Sequence, residues 1–68
     1  MTNIEKAKIA KLAVRQRALR AEIHAQDSEW DMMDETARCR YDQHYGECLG
    51  IEQALAALGV PFDRVDDR

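Results

Sequence analysis

Apolar positions in the first third of the chain recur at helical spacing. With Gln16 included, Ile9, Leu12, Leu19 and Ile23 stand alternately three and four residues apart, the signature of an amphipathic helix with a narrow apolar seam. Thr2-Asn3-Ile4-Glu5 has the form of a capping box, in which Thr2 accepts from the Glu5 amide. No glycine or proline interrupts the alanine-, lysine-, arginine- and leucine-rich run to Ala25. A first helix is therefore expected over residues 4–25.

A second seam follows in Trp30, Ala37, Tyr41, His44, Cys48, Ile51, Leu55 and Leu58. Asp27 and Ser28 both suit an N-cap, and Glu29 and Asp31 place negative charge where a helix start favours it. Gly59 suits the left-handed position after a helix, and Pro61 cannot continue one. The second helix is expected over residues 28–58, with residues 59–68 as a tail whose Phe62 can tuck back.

Positions 9, 16, 23, 30, 37, 44, 51 and 58 also keep one seven-residue register, which a single long helix would satisfy. The flanking row changes, however, from Leu12, Leu19 and Met33 to Tyr41, Cys48 and Leu55. Together with Asp27-Ser28 that switch predicts a break near residue 27. The expected fold is all-α: one domain, a two-helix antiparallel hairpin. Ile23 would meet Trp30–Met33, Leu19 would meet Ala37, and Leu12 would meet His44.

In that register the second helix outruns the first by about two turns, or ~9 Å. Leu55, Leu58 and Phe62 would sit on the overhang, and covering them is worth roughly 5–8 kcal/mol. The expected cover is a second copy, giving a coiled-coil-like four-helix bundle through Tyr41, His44, Cys48, Ile51, Leu55, Leu58 and Phe62. A tail folded back on the hairpin is the plainer alternative. Gly46 and Gly50 each cost about 1 kcal/mol inside a helix. With Ala54 and Ala57 they make a smooth row that either tolerates this cost or receives a closely packed backbone.

Size sharpens the expectation of a partner. A 68-residue chain hides only about 60% of its unfolded surface, so its core is marginal. Cys39 and Cys48 would lie ~13 Å apart along one helix, too far to bridge. They read as reduced thiols of a cytoplasmic protein. No apolar run suggests a signal peptide or a membrane span.

The net charge of −3 is unevenly placed. Residues 1–26 hold Lys6, Lys8, Lys11, Arg15, Arg17 and Arg20 against Glu5 and Glu22, a net +4, whereas residues 27–68 hold four arginines against eleven acids, a net −7. The plainest meaning is two helices that attract each other. The basic face could instead bind phosphates, but its cations scatter around the helix and lack aromatic partners for base stacking. Nucleic acid is not the expected partner.

Candidate chemistry is sparse. His44 and Cys48, one turn apart, could contribute to a metal site, yet zinc asks for four ligands; as seam residues they are expected in the core. Glycine-rich phosphate loops, nucleophile elbows and H-E-x-x-H pairs are all lacking. A non-enzymatic protein without metal or cofactor is expected.

The unusual segment is Asp27-Ser28-Glu29-Trp30-Asp31-Met32-Met33-Asp34-Glu35, with five acids among a tryptophan and two methionines. Trp30, Met32 and Met33 cannot all face one seam, so at least one should be exposed at the hairpin tip. Aromatic and methionine side chains are enriched at contact surfaces, and acids around them would steer the tip toward a basic partner. Trp30, Asp31, Met32, Met33, Asp34 and Glu35 are therefore the candidate partner-binding residues. The expected function is a small adaptor, inhibitor or regulator, in its most specific form a phage-type inhibitor of a nucleic-acid-processing machine. The alternatives are a nucleic-acid-binding helical dimer using the first helix and a purely structural bundle subunit.

Overall fold

Thr2 opens the first helix as the capping box requires, its Oγ1 accepting from the Glu5 N–H at 3.1 Å. The computed structural model describes residues 2–67; Met1 and Arg68 lie outside the described residues. Helix α1 runs Asn3–Asp27 and helix α2 runs Glu35–Ala57. The two pack against each other. The longest dimension is 45 Å, about half the ~80 Å that one unbroken helix over 3–57 would need. The chain is a helical hairpin.

The break falls where the seam changes, but the cap residues play a different part from the one expected. Asp27 is the last residue of α1, and Ser28 ends the helix, its hydroxyl donating back to the Ala25 carbonyl at 3.0 Å. The start signal that operates is Asp34, whose Oδ1 accepts from the Ala37 N–H at 2.7 Å. Residues 28–34 form the connection, with one turn of 3-10 helix over Trp30–Met32.

That seven-residue connection shifts the register. Tyr41 hydrogen-bonds to Asp27, His44 lies 3.6 Å from Glu22, Arg15 pairs with Glu47 at 2.7 Å, and Gln16 reaches Glu52 at 3.0 Å. Leu19 accordingly packs with Ile23 and Cys48, not with Ala37. In this register Ala57 comes level with residues near Ile9. The overhang therefore belongs to the first turns of α1, where Ile4 is 70% exposed, and not to α2.

Helix α2 stops at Gly59, whose φ of +73° is the one positive value among the described residues. A left-handed residue there lets the Val60 N–H reach back to the Leu55 carbonyl at 2.9 Å and the Gly59 N–H to that of Ala56 at 3.1 Å. The chain then doubles back along the helix pair. Val65 is fully buried beside Leu19, Ile23 and Cys48. Two helices leave one flank of their seam open, and this tail covers it.

Candidate interaction surfaces

Two surfaces are organised by side chains from more than one element: the tip of the hairpin, and the groove that holds the tail. At the tip, Trp30 stands edge-on to Tyr41, with ring centroids 5.1 Å apart. The Arg38 guanidinium lies 5.0 Å over the Trp30 ring and donates to the Trp30 carbonyl at 3.1 Å. Tyr41 in turn stacks on Tyr45 at 6.3 Å. One arginine thus fixes both the ring and the backbone of the turn.

This arrangement sorts the six candidate tip residues. Asp34 is occupied as the helix cap, and Trp30 keeps 36% of its surface in solvent. Met33 is half-buried, while Asp31 and Glu35 are exposed. Met32, 88% exposed, is the apolar side chain that the connection leaves projecting. Glu29 is exposed too, so the methionine's neighbours in sequence include exposed carboxylates on a turn that Arg38 braces.

The second surface is the groove along α1 and α2. Gln16 Nε2 donates to the Asp63 carbonyl at 2.7 Å. Arg20 donates from Nε to the Arg64 carbonyl at 3.0 Å and from its terminal nitrogen to the Asp67 carbonyl at 2.8 Å. His24 Nε2 lies 2.7 Å from the Val65 carbonyl. From α2, Glu52 Oε2 accepts from the Val65 N–H at 2.8 Å, and Tyr45 hydrogen-bonds to Asp66. Glu52 is buried beneath the tail. A buried carboxylate is costly unless hydrogen-bonded, and this one accepts from Gln16, Val65 and the Cys48 thiol at 3.5 Å.

Cys48 is fully buried against these groups. Burial, reinforced by the Glu52 carboxylate, pushes its thiol up to about 11. Burial also raises Tyr41, while the bond to Asp66 raises Tyr45. His44 and Cys48 turn to different neighbours, Glu22 and Glu52.

Of the expected seam, Cys48 and Leu55 are buried, Tyr41, His44, Ile51 and Phe62 are half-buried, and Leu58 remains 49% exposed. Phe62 and Arg64 from the tail, with Leu49, Glu52, Gln53 and Ala56, line a shallow groove of ≈ 320 Å³. Gly46 and Gly50 both face open space. Sequence reasoning missed Arg20, His24, Tyr45, Glu52 and Val65. A signal for three of the tail-holding residues exists, since Gln16, Arg20 and His24 stand four apart on one face of α1.

No family model, curated protein or solved structure matches the chain. Its surfaces must therefore be read from their own chemistry.

Proposed function

We propose that this chain is a protein-interaction module that engages another protein through the tip of its hairpin. The observation that carries this is the pairing of a braced turn with an exposed Met32, whose sequence neighbours Glu29, Asp31 and Glu35 are exposed too. An apolar side chain held out by a fixed backbone loses little freedom on binding, which favours recognition. Carboxylates around it attract a basic surface and speed encounter. Action as an inhibitor of a nucleic-acid-processing machine is the narrower form of this proposal, supported by small size and acidic charge.

Nucleic-acid binding through α1 has less support, because two of its six cations are engaged: Arg15 pairs with Glu47, and Arg20 holds the tail. The case for a four-helix bundle weakens likewise, since Leu55 and its surroundings are already covered within one chain.

The test compares proteins recovered from an extract by the intact chain, Met32→Ala and Asp31→Lys. Neither substitution touches the core or a cap, so loss of a basic partner reports recognition and not folding. Recovery of the same partners at the same yield by all three would sink the proposal.

A further inference from the structure

We propose that the groove between α1 and α2 is a receptor for residues 60–67 as a transferable segment, and that it accepts this segment from a second copy of the chain. The inference does not depend on the tip residues Met32 and Asp31 and rests on a different set of side chains. Its basis is the way the tail is held. Gln16, Arg20, His24 and Glu52 direct five contacts to the segment, and all five end on main-chain atoms of residues 63, 64, 65 and 67. The side chains recognised are Val65, which is buried in the seam, and Asp66, which meets Tyr45. Asp63, Arg64 and Asp67 keep their side chains outside, all three being exposed.

Such a segment behaves as a bound peptide that happens to be tethered. Its attachment to the hairpin is one polar network, the buried Val65 and the half-buried Phe62, whereas α1 and α2 share a seam of many turns. Opening of the tail should therefore precede unfolding of the hairpin. The hinge is Gly59-Val60-Pro61, and Gly59 can leave its positive φ for other conformations at little steric cost. An identical segment from another copy brings the same Val65, the same Asp66 and the same main-chain groups. Reciprocal exchange then replaces every contact it breaks, which makes swapping a low-cost route to a dimer. Tethering gives a chain's own tail an effective concentration of order mM. Exchange is thus expected when that tail is disabled or the protein is highly concentrated.

Cys48 reports the state of the groove, because the docked tail covers it. The experiment mixes two full-length chains of complementary defect. One carries Val65→Asp, with an intact groove and a disabled tail. The other carries Glu52→Ala and Cys48→Ser, with a disabled groove, an intact tail and no reporter. Thiol labelling at Cys48 is followed by mass spectrometry, which separates it from Cys39. Alone, the Val65→Asp chain should label at Cys48 roughly tenfold faster than the unmodified protein. Addition of the second chain should slow that labelling several-fold and double the mass in solution. A second chain that also carries Val65→Asp should do neither. Val65→Ala, a smaller truncation, is run beside Val65→Asp, so that the outcome does not hang on whether an aspartate is tolerated. If the complementary chain neither protects Cys48 nor forms a pair with either variant, the groove serves only its own tail and the proposal is overturned.

Discussion

Glu52 has little in its identity to mark it as interior, and its neighbours explain why it is there. It sits on the seam side of α2 and gathers donors from α1, from the tail and from Cys48. Removing the acceptor strands buried donors, which costs about 1–3 kcal/mol. Glu52→Ala should lower the urea midpoint accordingly, whereas Glu47→Ala, which removes an exposed pair with Arg15, should move it little. Equal effects from the two would contradict the role given to Glu52. Alkaline titration probes the same cluster. Tyr41, Tyr45 and Cys48 all hold their protons more tightly in the folded chain than their ordinary values of 10.0, 10.0 and 9.0 imply. Folded protein therefore binds more protons than unfolded protein at high pH. For Cys48 that stability is fully present below its ordinary 9.0 and is lost as pH rises through about 11, and for the two tyrosines it is present below 10.0 and is lost at higher pH. Urea midpoints measured at pH 8 and at pH 11 should fall, and Tyr45→Phe should reduce the fall. A flat profile would count against the burial and bonding described for these groups.

Helix boundaries turn on which of several good caps is used. Asp27, Ser28 and Asp34 all have the right chemistry, and pattern alone favoured the first two. The choice went to Asp34 because residues 28–33 are needed to turn the chain and to seat Trp30 against Tyr41 and Arg38. Asp34→Ala should cost about 1 kcal/mol in stability, while Ser28→Ala should cost much less; thermal melts of the two variants distinguish them. A larger loss from Ser28→Ala would return the start of α2 to residue 28. Within α2, Gly46 and Gly50 have room for a methyl group. Replacing each by alanine should stabilise the isolated chain by about 1 kcal/mol. If the pair instead forms a contact with another backbone, the double variant should lose association in sedimentation without losing helicity.

For the molecule as a whole, the tail changes what the hairpin needs from others. A seam with one flank open would ordinarily invite a second hairpin. Here the flank is closed by residues 60–67, which combine one buried valine with a set of side-chain-to-backbone bonds. This leaves the braced tip and the exposed start of α1 as outward surfaces, with the groove beneath the tail as the proposed site of exchange. The expected bundle interface at Leu55 is thereby largely used inside one chain, while Leu58 stays partly available.

Periodicity, capping chemistry and the Gly59-Pro61 stop determined by themselves that the chain forms two helices, where α1 begins, where α2 ends, and that at least one of Trp30, Met32 and Met33 stands exposed. These features depend on residues close in sequence, whose geometry a helix fixes at 3.6 per turn. Tertiary structure alone decided the register between the helices, the burial of Glu52 and Val65, and which groups hold the folded-back tail. Each depends on partners dozens of residues away, as Gln16 with Asp63 and Arg20 with Asp67 show. A polar residue on an apolar stripe declares only that it will need a partner; which one it meets is set by the length of the turn and the path of the returning chain.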